Sequence, residues 1–274
     1  MKLTLRQIQL PGRVRLEFAE QGSRSGTPVI ALHGVTDSWR SFEPVLPHLP
    51  SDLRVMALTQ RGHGDSDKPA GGYRPADFAA DVAAFMDVME IERAVIVGHS
   101  MGSINAMHFA THRPSRVSGL VLAGTMPWFG RPPELVAYYR EQIVPLADPV
   151  PDAFAREFQQ STLARPIAAS MLDRFVAESL KVPARVWRAA FAGFIGDDFS
   201  QRLREIEVPT LIAWGRHDAF CSATDQEAML ALIRTARLVE YTDAGHAMHW
   251  EEPQRFARDL SRFVASVATG TAIA

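Results

Sequence analysis

Val95-Ile-Val-Gly98-His-Ser100-Met-Gly102 is the stretch on which the reading of this chain turns. A short, continuous apolar run leads into residues 101–112, whose apolar spacing is that of a helix. The junction reads Gly-x-Ser-x-Gly. A sharp strand-to-helix turn projects its serine from a strained backbone, and side chains two positions to either side would collide there, so glycines flank it. The helix start then places the Met101 N–H, and the positive end of the helix dipole, beside any oxyanion that forms on a group attacked by Ser100. The bare pattern also describes a small-residue turn in which Ser100 only caps a helix. A buried strand before it and a helix after it favour the nucleophile.

Working outward, similar short apolar runs recur at Val29–Leu32, Arg54–Leu58, Val117–Ala123, Thr210–Ala213 and Leu238–Tyr241. Runs of that kind belong to strands buried on both faces. Helical patterns fall between most of them. Residues 75–90 carry Phe78, Val82, Phe85, Met86 and Met89 at three- and four-residue spacings, and residues 252–267 carry Phe256, Leu260, Phe263 and Val264 on one stripe. Strands alternating with helices imply an α/β fold with a mostly parallel sheet flanked by helices. The first twenty residues differ, with two alternating segments about Pro11-Gly12 that read as a hairpin. Residues 126–205 break the pattern. They are rich in aromatics, show no clear strand, and are cut by prolines into short helical pieces, which reads as a helical cap inserted into the sheet order. The catalytic core is then 1–125 and 206–274, with the cap at 126–205.

A serine hydroxyl needs a base, and the base needs an orienting acid. Asp218 follows the strand Thr210–Ala213, and His246 follows the strand Leu238–Tyr241. In a parallel sheet the carboxyl ends of the strands share one edge, where Ser100 also emerges. The order Ser100, Asp218, His246 is one of the known triad orders.

Composition excludes several other classes. With 29 Lys and Arg against 31 Asp and Glu, the formal charge is −2, so the basic footprint of a nucleic-acid binder is missing. The single cysteine, Cys221, forms neither a disulfide within the chain nor a Cys-based zinc site. No run approaches the ~18 apolar residues of a membrane span, and the start of the chain alternates where a signal peptide would be continuously apolar. A cytoplasmic protein with no membrane, nucleic-acid or obligate protein partner is expected.

Five segments together carry a resemblance to the α/β-hydrolase superfamily. Leu32-His33-Gly34-Val35 resembles its oxyanion loop and Gln60-Arg61-Gly62-His63-Gly64-Asp65-Ser66 its Arg-Gly-x-Gly loop. Gly98–Gly102 resembles the nucleophile elbow, Gly215-x-x-Asp218 the acid segment and Gly245-His246 the base segment. The likeness covers residues from about 28 to 125 and 206 to 265 and implies the α/β-hydrolase fold, an eight-stranded sheet with a helical cap. It also implies that the backbone N–H of Val35 is the second oxyanion donor, beside that of Met101. The chain departs from the pattern in three places. Thr59-Gln60 stands where many relatives have Asp before the Arg, Ser103 where many have glycine, and Val35 where an aromatic is frequent. The last departure implies a roomier acyl side.

Nearby residues offer competing readings. His249 is a rival for the base, but His246 directly follows Gly245 as the loop requires. His33, His63 and His99 are expected to hold loops by hydrogen bonds. His108 and His112, at i and i+4, have the spacing of a metal pair. With no third ligand evident, an exposed helix face is the expectation. Among the cap aromatics Trp128, Tyr138, Trp187 and Phe191 are the candidates for lining an apolar substrate cleft. The expected activity is cleavage of a carboxylic ester (or lactone or thioester) of a small, largely apolar substrate through an acyl-enzyme on Ser100. It calls for no metal or organic cofactor. The alternatives are a C–C bond hydrolase of ring-cleavage products, a cofactor-free perhydrolase, and a slow hydrolytic ligand receptor.

Overall fold

Side-chain alternation along the central strands sorts the core into two layers. Ile30 and Leu32, Ile96, and Leu120 and Leu122 join one apolar cluster, while Val29 and Ala31, Val95 and Val97, and Val121 and Ala123 join another. Successive side chains of a strand point to opposite faces, so a strand apolar at every position must be covered on both. The computed structural model describes residues 3–270; residues 1–2 and 271–274, which the expected core ranges include, lie outside the described residues.

The strands are β1 (Thr4–Gln9), β2 (Arg15–Gln21), β3 (Thr27–Leu32), β4 (Leu53–Thr59), β5 (Ala94–His99), β6 (Val117–Ala123), β7 (Thr210–Gly215) and β8 (Ala236–Tyr241). They form one eight-stranded sheet in the order β1-β2-β4-β3-β5-β6-β7-β8. Strands β1 and β2 pair as the expected hairpin and β2 pairs antiparallel with β4; every other pairing is parallel. The chain therefore has the α/β-hydrolase fold.

Helices α1 (Pro75–Val88) and α2 (Met101–His112) bury Phe78, Val82, Phe85 and Met107 in the first cluster. Between β6 and β7 the regular elements are helical: α3 (Pro133–Tyr138), continued by a π-helical stretch Tyr139–Ile143, then α4 (Asp152–Ser161), α5 (Ala169–Leu180), α6 (Ala184–Ile195) and a 3-10 stretch Ser200–Glu205. Pro133 and Pro151 stand at or just before helix starts, where the missing N–H is not needed. The chain ends with α7 (Ala223–Leu232), α8 (Met248–Glu251) and α9 (Pro253–Thr269). The stripe Phe256, Leu260, Phe263 and Val264 of α9 packs into the second cluster.

One expectation needs correction, and one element, helix α7, has no counterpart in the sequence reading. Its apolar residues do not fall on one stripe, and its signal is the capping box in which Ser222 and Asp225 satisfy each other's backbone N–H groups. His108 does not lie on an exposed face. It is buried, with Nε2 2.7 Å from Asp197 Oδ2, because the chain after α6 folds back over α2; only His112 is exposed. Among the described residues, no helix is long and apolar enough to cross a membrane.

Candidate active site

The carboxyl ends of β3, β5, β7 and β8 deliver the four loops of the site. After β5, Ser100 adopts φ 52° and ψ −119°, a conformation rare for a side-chain-bearing residue and characteristic of strained functional positions. Its N–H donates to the Ala123 carbonyl at 2.9 Å. The flanking glycines are sterically required: a Cβ on Gly98 would stand 2.4 Å from the Gly102 carbonyl oxygen, and one on Gly102 2.2 Å from that of Leu32. Ser103, in place of a further glycine, donates its hydroxyl to the carbonyls of Gly98 (2.8 Å) and Ala123 (3.1 Å) and so ties the helix start to the strand ends.

His246 and Asp218 meet at this edge. His246 Nδ1 is 2.9 Å from Asp218 Oδ2, and both side chains are buried. Asp218 Oδ1 accepts the backbone N–H groups of Phe220 (2.8 Å) and Cys221 (3.0 Å), which fixes the carboxylate plane. With Asp218 accepting at Nδ1–H, Nε2 of the imidazole is the nitrogen left for substrate chemistry. Gly124 makes room for this ring, since a Cβ there would sit 3.0 Å from His246 Nδ1. Glu251 secures the base loop by accepting the Gly245 N–H at 2.6 Å and the N–H groups of Ala164 and Arg165.

The loop after β3 carries a second strained residue, Thr36, at φ 70°. Its hydroxyl is 3.1 Å from that of Ser179 on α5, and its preceding residue Val35 lines the cavity. His33 holds this loop, with Nδ1 donating to the Gly34 carbonyl (2.7 Å) and Nε2 accepting from the Gln60 N–H (2.9 Å). Gln60 itself donates to the His33 carbonyl and accepts from Asn105 of α2, so the departure at this position bridges the oxyanion loop to the elbow helix. Burial holds the surrounding histidines neutral: His33 and His99 well below the usual range, His63 at about 4 and His249 at about 3. His249 contacts Trp250 and hydrogen-bonds Ser41 Oγ at 3.0 Å, away from Asp218.

A cavity opens over Ser100 and His246. Apolar residues line most of it, among them Phe129, Leu135, Phe158, Phe194 and Phe220, with Asp37, His99, Gln159 and Thr162 as polar exceptions besides Ser100 and His246. Of the four aromatics expected there, Tyr138 and Phe191 line it and Trp128 and Trp187 do not. Trp128 instead turns its indole N–H to the Ile195 carbonyl, and the neighbouring Phe129 faces the cavity. Trp187 is fully buried behind the lining, against Phe154, Phe158 and Phe191. Trp128 lies in the turn before α3, where periodicity says nothing, and on α6 periodicity could not tell the residue lining the cavity, Phe191, from the one buried behind it, Trp187.

Asp218, Cys221 and His246 also place three metal-ligating atoms within 4.8 Å of one another. The Asp218 oxygens already accept three hydrogen bonds, and burial pushes the Cys221 thiol well above its usual range, toward the non-ligating form. The arrangement suits the aspartate–histidine pair better than a metal centre.

The profile of the alpha/beta hydrolase fold family matches residues 27–253, and the chain belongs to that family. Its relatives differ in chemistry. It is 30% identical, over 93% of its length and 92% of the relative's, to a 2-hydroxy-6-oxononadienedioate/2-hydroxy-6-oxononatrienedioate hydrolase of Paraburkholderia xenovorans. It is 29% identical to a non-heme chloroperoxidase of Streptomyces lividans, over 91% and 95% of the two chains. Among solved structures, an esterase from Exiguobacterium antarcticum superposes with a TM-score of 0.85 at 26% identity, covering 95% of this chain and 99% of that one.

Proposed function

We propose that this protein is a serine hydrolase that cleaves a carboxylic ester through an acyl-enzyme on Ser100. The observation that carries the reading is the strained Ser100 opening into a cavity shared with His246, whose Nδ1 is held 2.9 Å from Asp218. In this mechanism Nε2 of His246 takes the Ser100 proton as Oγ attacks the carbonyl and returns it to the leaving alcohol. Asp218 holds the imidazole and stabilises its charged form. The backbone N–H groups of Val35 and Met101 receive the oxyanion, each contributing on the order of 3 kcal/mol. The same base then activates water to release the acid. The helical insertion acts as a lid that supplies the apolar wall.

Cleavage of a dioate, the substrate type in the name of the Paraburkholderia relative, is the competing reading. It suits the cavity less well. Among the described residues lining it there is neither Lys nor Arg, and there is a buried carboxyl, Asp37. Burying two carboxylates without a cation is costly. A largely apolar ester that carries no second carboxylate fits that wall.

The test is turnover of short-chain p-nitrophenyl esters by the wild type and by Ser100→Ala, with labelling by a serine-directed phosphonate. Multiple turnover that is lost in Ser100→Ala supports the ester reading over a slow hydrolytic receptor, and a dienoate ring-cleavage product left uncleaved by the wild type supports it over C–C cleavage. Absence of both turnover and labelling in the wild type rejects it.

A further inference from the structure

Asp37 is the one cavity carboxyl to which the mechanism gives no task. It lies on the loop after β3, two residues beyond Val35, and is 4% exposed. Its Oδ1 accepts Gln159 Nε2 of α4 at 2.9 Å, and its Oδ2 accepts Ser41 Oγ at 3.2 Å. Neither donor carries a charge. Burial therefore pushes the carboxyl up to about 7, against the two hydrogen bonds and the nearby His246, and with the repulsion of Glu178.

A second acceptor faces the same place. His99 Nε2 donates to the His246 carbonyl at 3.1 Å, which leaves Nδ1 as a bare lone pair. That atom is buried and has no hydrogen-bond partner among the described residues. A Cβ on Gly34 would stand 2.9 Å from His99 Nδ1 and 3.2 Å from Asp37 Oδ2, so the two acceptors converge on one flank of Gly34, beside the oxyanion loop. Gly34, His99 and Asp37 all line the cavity. Two converging buried acceptors in a mostly apolar wall are a costly arrangement unless a donor reaches them.

We propose that Asp37 and His99 Nδ1 form a polar subsite that receives a hydroxyl or ammonium group carried by the substrate near its scissile carbonyl. The substrate is then a hydroxylated or aminated ester, not a plain hydrocarbon one. This deepens the ester reading and rests on it. The bland alternative is that Asp37 only ties the insertion to the core through Gln159, which predicts no substrate preference.

The experiment compares kcat and KM for methyl butanoate, methyl 3-hydroxybutanoate and methyl 3-aminobutanoate, and for ethyl against 2-hydroxyethyl butanoate. The first set probes a donor on the acyl side and the second a donor on the alcohol side. At least one donor-bearing ester is expected to exceed its plain partner about tenfold in kcat/KM, mainly through KM, the scale of one charge-assisted buried hydrogen bond. In Asp37→Asn, checked for folding by its melting curve, an ammonium preference should fall tenfold or more and a hydroxyl preference several-fold. Should that variant not fold, the wild type decides by pH. An ammonium preference must rise between pH 6 and 8 as Asp37 ionises among His99, His246, Glu178 and the Ser41-linked His249, and a hydroxyl preference must rise with it by a smaller factor; a preference that ignores pH overturns the subsite. Turnover of all five esters without preference, or a preference kept in Asp37→Asn, overturns the subsite and leaves the ester reading standing. No turnover of any ester by the wild type overturns both.

Discussion

At the scale of single residues, geometry separates the chemistry from its surroundings. His246 and His249 are three residues apart and both buried, yet only His246 reaches Asp218. Replacing His246 with Gln should lower kcat by a factor of about 10³ or more with little change in melting temperature, while His249→Gln retains activity, as initial-rate kinetics on one ester would show. The elbow admits no such tolerance. Gly102→Ala drives a Cβ to within 2.2 Å of the Leu32 carbonyl oxygen, so α2 must shift from β3. Urea unfolding is expected to show a loss of about 2 kcal/mol or more, with activity falling in parallel. These residues were legible in the sequence because each follows a recognisable strand at the fixed spacing of its loop. Asp37 was not, because an Asp in a turn-rich loop is ordinary and only the fold reveals its burial beside His99.

Secondary-structure elements set what the cavity admits. Val35 and residues of the insertion helices line it together, so Val35→Trp should move the preferred acyl length toward shorter chains in an ester panel. An unchanged preference would refute a roomy acyl side at Val35. Glu251, on α8, joins the base loop to the insertion by three backbone hydrogen bonds, two to Ala164 and Arg165 and one to Gly245. Glu251→Ala is expected to lower kcat more than it raises KM, because His246 loses its support while the lining is untouched. Element reading from the sequence succeeded where apolar patterning was strong, as in β5, α2 and α9. It failed at α7, whose apolar residues form no stripe, and at the insertion, where Phe129 and not Trp128 turns inward. Trp128 and Phe129 lie in the turn between β6 and α3, where no periodicity marks which side chain faces inward.

Across the whole molecule the sheet gathers loops from distant parts of the sequence and encloses four neutral histidines, His33, His63, His99 and His249. Their folded-state values lie below the usual 6.5, so below that pH the unfolded chain binds more protons and stability is lost as pH falls toward 4. Asp37 acts in the opposite sense between 3.8 and about 7, where the folded state holds the extra proton. Glu17, raised by burial, acts with Asp37, and Glu20, lowered against its burial by Arg6 and Arg54, acts with the histidines. Five groups oppose two, each worth up to about 1.4 kcal/mol per pH unit, so the melting temperature should fall from pH 7 to pH 4.5. His249→Gln should flatten that fall; a wild-type melting temperature that rises toward acid would contradict it. Between β6 and β7 the regular elements are helical, and this stretch supplies Phe158, Phe191 and Phe194 to the cavity wall. What tests the proposed chemistry most directly is rapid-quench peptide mapping during turnover of a short p-nitrophenyl ester. The expected result is an acyl group on the peptide containing Ser100, absent in Ser100→Ala together with turnover. Turnover that persists in Ser100→Ala, or an acyl group found on another residue, would contradict it.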